Sequence, residues 1–207
     1  MAAQTQRLLE RAGKASRWLG AALLAYAFGA SAYGTVVSRM QLARFQADHA
    51  ETISWAPGRV EAYRRALRVA LPAPQAVLRI PAANLEVPVV EGTSALVLNR
   101  AAGHLTGTSL PGGPGNIVIA GHRDGFFRRL KNVSVGDQIQ LAHGTGLDTY
   151  VVDRLDIVDR KDTSALQPSH QPVLTLVTCY PFFYLGAAPQ RYIVHASLVP
   201  PSLLHSL

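Results

Sequence analysis

From Trp18 to Ser38 the chain runs through 21 residues without a formal charge, bounded by Arg17 and Arg39. As a helix such a run spans about 31 Å, at about 1.5 Å per residue, against a hydrocarbon core near 30 Å. The length fits one crossing, and it separates whatever precedes it from whatever follows. Arg7, Arg11, Lys14 and Arg17 lie before it. The positive-inside bias then predicts a cytoplasmic basic segment over 1–17 and a single-pass signal anchor over 18–38 in the cytoplasmic (inner) membrane, with all later residues extracytoplasmic. Ala30, Ser31 and Ala32 form a small-residue triplet of the kind a signal peptidase cuts, but the apolar run continues to Val37, which favours the uncleaved anchor. Both readings export the rest of the chain.

The net charge of +7 by itself points to a nucleic acid or an anionic surface, so its distribution matters. Residues 1–17 hold four bases and one acid, residues 39–75 six bases and three acids, and residues 76–207 ten bases and nine acids. A nucleic-acid module concentrates its charge on the folded domain. Here the surplus flanks the apolar run, a pattern that excludes nucleic acid as partner and names membrane lipid instead. The single cysteine excludes an internal disulfide framework and any multi-cysteine zinc site.

Residues 39–75 read as an extracytoplasmic helical stalk. Val60, Tyr63, Leu67 and Leu71 recur at intervals of three and four among Arg59, Arg64, Arg65 and Arg68, giving an apolar stripe on a basic helix; Trp55, Pro57 and Gly58 interrupt it. That stripe suits either a lipid interface or the surface of the following domain. Pro72 and Pro74 mark the boundary. From Ala76 onward, short β-rich segments alternate with Gly, Pro and Asn. The pattern predicts strands over 76–80, 86–90, 95–98, 116–120, 138–142, 149–158, 173–178 and 191–199, with one helical turn over 126–131. Eight short strands make residues 76–207 a mostly β domain, a barrel or a sandwich.

The chemistry gathers at strand ends. The segment Val173–Thr178 leads into Cys179, Tyr180 and Pro181, and proline cannot donate to a central ladder, so Cys179 is expected at a strand terminus. If Arg191 opens the next strand and the two pair antiparallel, both residues lie at one end of the sheet. A third strand, Asn116–Ala120, runs through Gly121 into His122. A thiol, an imidazole and a guanidinium can thus meet at one rim. A lone cysteine is also a common buried hydrophobe, yet this one stands beside a turn and has no disulfide partner.

The run Asn116-Ile117-Val118-Ile119-Ala120-Gly121-His122-Arg123-Asp124, then Thr175-Leu176-Val177-Thr178-Cys179-Tyr180-Pro181 and Arg191, resembles a sortase of the class D type, as seen in proteobacteria. Gly103-His104, Gly107-Thr108 and Phe126-Phe127-Arg128 are similar to that group as well. The likeness covers roughly Ala76 to Val199. Its signature is TLxTC with a histidine 57 residues before the cysteine and an arginine 12 after it. Gly125 departs from the pattern, where a residue such as Thr is expected. The resemblance implies an eight-stranded sortase-type β-barrel with short helices. It also implies a membrane-anchored cysteine transpeptidase, acting on exported proteins that carry a C-terminal LPxTG-like sorting signal and transferring them to an amine acceptor on the cell envelope or on another protein.

In such an enzyme Cys179 is the nucleophile that forms a thioester, His122 the general acid and base, and Arg191 the group that stabilises the oxyanion or holds the peptide's carbonyls. A free thiol of pKa near 8.5 is only a few per cent thiolate at neutral pH, so a cationic His122 and the fixed charge of Arg191 are expected to favour the thiolate. His104 and Thr178 are expected at the substrate groove, Thr178 with the reservation that strand alternation also points it into the core. His143, His170 and His195 lack metal-ligand spacing, and Asp153, Asp156 and Asp159 do not converge as a calcium site. No cofactor is expected. Two alternatives stay open: a membrane-tethered interaction module with an inert cysteine, and a cysteine protease that releases its substrate to water. A cysteine L,D-transpeptidase is disfavoured because Thr-Cys-Tyr-Pro stands where that enzyme carries serine, histidine and glycine before its cysteine.

Overall fold

The computed structural model describes residues 18, 55–144, 146–184 and 186–200. The expected anchor lies outside the described residues, Trp18 excepted; among the described residues no helix is long and apolar enough to cross a membrane.

Eight strands close into a barrel in the order β1-β2-β3-β4-β7-β8-β6-β5. They are β1 (Ala76–Ile80), β2 (Leu85–Glu91), β3 (Ala102–His104), β4 (Asn116–Gly121), β5 (Gln138–His143), β6 (Gly146–Asp159), β7 (Val173–Tyr180) and β8 (Gln190–Leu198). Closure leaves no open edge to pair with another chain. Along β5 every second residue is buried, and Ile139 and Leu141 enter the core with Leu78, Ile117, Leu174 and Val194 from the other strands. Two neighbour pairs, β2 with β3 and β4 with β7, run parallel; the rest are antiparallel.

One expected strand is a helix. Ala95–Leu98 forms a short α-helix (here α2), with Ser94 as its N-cap accepting from the backbone of Val97. Four apolar residues in a row carry no period that separates strand from helix. The parallel pairing of β2 with β3 needs a connection that carries the chain back along the barrel, and α2 supplies it. The third strand is instead Ala102–His104, three residues long. The helical turn expected over 126–131 is a 3-10 helix over Phe126–Asn132.

The segment read as a stalk needs a second correction. Helix α1 (Pro57–Ala66) has Pro57 in its first turn, a position where proline starts a helix rather than interrupting one. Trp55 and Tyr63 belong to the barrel's own core cluster, and Val60 packs against it. Trp55 lies edge-on to Tyr63 and to Phe126, with ring centroids 5.5 and 5.1 Å away. Of the two surfaces the apolar stripe suits, the barrel takes Trp55 and Tyr63, while Leu67 stays exposed.

Candidate active site

Three neighbouring strands build the rim. On β7, Leu174 and Leu176 point into the core, so alternation turns Thr178 inward and Val177 and Cys179 outward. On β8, Val194 and Ala196 point inward, which turns Ile193 and Arg191 to the outer face. Cys179 stands directly opposite Arg191 in the β7–β8 ladder. Residues so paired hold their Cβ atoms about 4.5–5.5 Å apart on one face. On the other flank β4 runs parallel to β7 with Gly121 opposite Thr178, so His122, the next residue, comes level with Cys179. Below the partly exposed thiol, Ala120, Val177 and Ile193 form the apolar floor of this outer face.

The sheet is pulled tight at this rim. Thr178 is buried and its hydroxyl donates to the carbonyl of Gly121, 2.7 Å away, tying the strand of the cysteine to the strand of the histidine. It is therefore no groove residue but an inward brace between the two. Gly121 itself has no room for a side chain: a Cβ there would lie 2.5 Å from the ring of Phe127. Beyond the cysteine, Arg123 donates through Nη2 to the carbonyls of Tyr184 and Gly186, both 2.9 Å away, so the turn after His122 holds the loop after Cys179.

His104 also belongs elsewhere. It is 1% exposed, with Nδ1 2.6 Å from Glu91 Oε2 and Nε2 2.9 Å from the carbonyl oxygen of Ser109. Both ring nitrogens are engaged and nothing is left to present to a peptide. The Thr106 hydroxyl, then His104, hold the Glu91 carboxyl below its ordinary range. This network fastens β2 to β3 and the loop that follows.

A polar anchor that sequence reading passed over is Asn116. Its side chain accepts from the Thr175 hydroxyl at 2.8 Å and donates to the carbonyls of Ala165 and Gln167 at 3.0 and 2.9 Å. The β6–β7 loop is thereby pinned to the outer face of the same three strands. Only an asparagine opening an otherwise apolar strand marked it in the sequence.

Burial, and after it the positive charge of Arg59, push the pKa of His122 down to about 4, with Asp124 opposing. At neutral pH this makes the ring an imidazole, against the expectation of a cationic His122. Arg59 comes from α1 and forks onto Asp124, with nitrogen–oxygen distances of 3.0 to 3.3 Å. The shift has a thermodynamic consequence. Between the ordinary histidine pKa of about 6.5 and the folded value, the unfolded chain binds the proton and the folded one does not, so stability falls as pH drops through that window. Chemical denaturation from pH 7 to 4 is expected to show this slope, and His122→Gln to remove its share of it.

Sequence comparison agrees with this geometry. Residues 78–199 match the family model described as the sortase domain. The chain belongs to the sortase family. Sortase D of Bacillus subtilis is 44% identical over 124 residues, a match covering 59% of this chain and 63% of that protein, so the match spans less than two thirds of the relative's length. A Clostridium perfringens sortase D5 transpeptidase superposes with a TM-score of 0.58 at 24% identity, covering 82% of this chain and 99% of that one, a likeness of fold. Sortase C1 of Streptococcus suis superposes with a TM-score of 0.57 at 31% identity, covering 69% and 80% of the two chains.

Proposed function

We propose that this sortase is a cysteine transpeptidase, held in the cytoplasmic membrane by residues 18–38 with its barrel outside, which cuts an LPxTG-like C-terminal sorting signal and passes the exported protein to an amine. The observation that carries the reading is the register of three adjacent strands, with Cys179 opposite Arg191 and level with the position that follows Gly121.

The chemistry follows from that arrangement and from a neutral His122. The imidazole takes the thiol proton as Sγ of Cys179 attacks the carbonyl carbon before the scissile bond. The oxygen of the tetrahedral intermediate gathers negative charge within reach of the Arg191 guanidinium. The carbon–nitrogen bond then breaks, the imidazolium returns its proton to the departing amine, and the acyl group stays on sulfur as a thioester. An incoming amine loses a proton to the same ring while attacking the thioester carbon, and the sulfur leaves as thiol. Nothing is consumed but the two peptides. Because His122 starts neutral, it serves first as base and only then as acid.

Incubating the full chain with a sorting-signal peptide and amines of different kinds, and weighing the products by mass spectrometry, tests this. The expected product joins the residue before the cut to the amine. A free acid alone would make the protein a protease, and an untouched peptide would make it a binding module.

A further inference from the structure

We propose that Arg59, on the helix ahead of the barrel, is a positioning residue for His122, acting through the Asp124 carboxylate two residues further along the same turn. This rests on the reading of His122 as the proton carrier.

Several contacts hold that turn. Arg59 donates through Nε to Oδ1 of Asp124 at 3.1 Å and through Nη2 to Oδ2 at 3.3 Å, a two-point fork, and its Nη1 donates to the side chain of Asn99. A planar guanidinium grips a carboxylate at two points where an ammonium is a single centre, so the fork fixes orientation as well as distance. The turn closes on itself through the backbone bond from Gly125 to the carbonyl of His122, 3.1 Å long. Helix α1 cannot slide along it, because Trp55 is wedged edge-on against Phe126 just past the turn.

Gly125 shows how closely helix and turn approach. A Cβ at that position would lie 3.5 Å from Cβ of His122 and 3.9 Å from the indole of Trp55. A methyl group fits there in ordinary van der Waals contact. The tryptophan it faces comes from the segment just ahead of α1.

The charges acting on the ring are Arg59 from α1 and Asp124 from its own turn; Arg123 of that turn donates to the carbonyls of Tyr184 and Gly186, and Cys179 and Arg191 stand at the same rim on β7 and β8. Arg59 opposes protonation and Asp124 favours it, on top of the larger effect of burial. Loss of Arg59 removes the opposing charge and leaves Asp124 unneutralised beside the ring, so both changes push the titration upward. Loss of Asp124 pushes it downward. A purely structural role for the pair predicts no such opposition of sign.

The test uses the full chain and reads the titration of His122 by NMR of its imidazole, alongside the pH profile of peptide cleavage. In Arg59→Gln the midpoint is expected to rise from about 4, with the acid limb of cleavage moving alongside. Arg59→Lys is expected to keep the midpoint below that of Arg59→Gln, and Asp124→Asn to lower it. A folded Arg59→Gln protein with an unmoved midpoint overturns the proposal. If Arg59→Gln does not fold, Asp124→Asn decides: a midpoint that matches the parent overturns it. The NMR readout needs no substrate. Moved midpoints without any peptide cleavage would remove the transpeptidase reading and leave the coupling of Arg59 to His122 standing.

Discussion

If Cys179 is the proposed nucleophile, replacing it by alanine is expected to abolish thioester capture of a sorting-signal peptide and to lower turnover on the order of a million-fold, the scale on which deleting a covalent nucleophile that works as a unit with its base is felt. No neighbour takes over. The adjacent hydroxyl, Thr178, is buried and already donates to the carbonyl of Gly121. The fold is expected to survive, because the thiol lies on the outer face, partly exposed, and not in the core cluster. Thermal unfolding should move by about 1 kcal/mol or less, as for other substitutions outside a packed core. Wild-type capture by the alanine variant would mean that the cysteine is inert and the barrel a binding module. Since this is the only cysteine in the chain, alkylation of the wild-type protein reports on the same atom without ambiguity.

The part of this site legible in the sequence was the part built by neighbours along the chain. Cys179 and Arg191 belong to consecutive strands joined by one loop, so assuming antiparallel pairing was enough to bring them to one end. His122 was different. Its strand pairs parallel to β7 from more than fifty residues away, and no local pattern announces a parallel neighbour. Its place at a strand end allowed it to join the site and the resemblance of the motifs assigned it there, but only the register makes it a geometric statement. Thr178 and His104 illustrate the opposite error. Both sit in motif-like surroundings, but alternation turns the first inward, and Glu91 and the Ser109 carbonyl enclose the second.

The barrel itself was readable where one face of a strand is buried, because burial imposes alternation. It was unreadable at Ala95–Leu98, where the run is too short to have a period, and at Ala102–His104, where a glycine and only three residues leave no pattern. The ion pair of Arg59 with Asp124, 65 residues apart, was beyond any reading of spacing. The arginine looked like one more charge on a basic helix. What distinguishes it from Arg64, Arg65 and Arg68 is its bond to Asp124 beside the docking of Trp55 and Tyr63 in the core, and that is a fact of packing.

If Arg191 holds the proposed oxyanion, substitutions there separate charge from geometry. Its Nη1 donates to the carbonyl of Gln190 at 3.0 Å, one of the five N–H donors a guanidinium carries. Arg191→Lys keeps the positive charge but replaces the fork with one compact centre, unable to hold Gln190 and reach the oxyanion together. Turnover is expected to fall about 100- to 1000-fold, the usual cost of one oxyanion donor, with KM within a few-fold of the parent. The rate of Cys179 alkylation should change little, since a positive charge remains opposite it in the ladder. Arg191→Ala removes charge and donor together, so it is expected to lower both. A lysine variant with parental turnover beside a dead alanine variant would assign the whole effect to charge. A rise in KM at parental kcat would move Arg191 from the oxyanion to the backbone of the bound peptide, because binding lost equally in ground and transition states leaves kcat untouched.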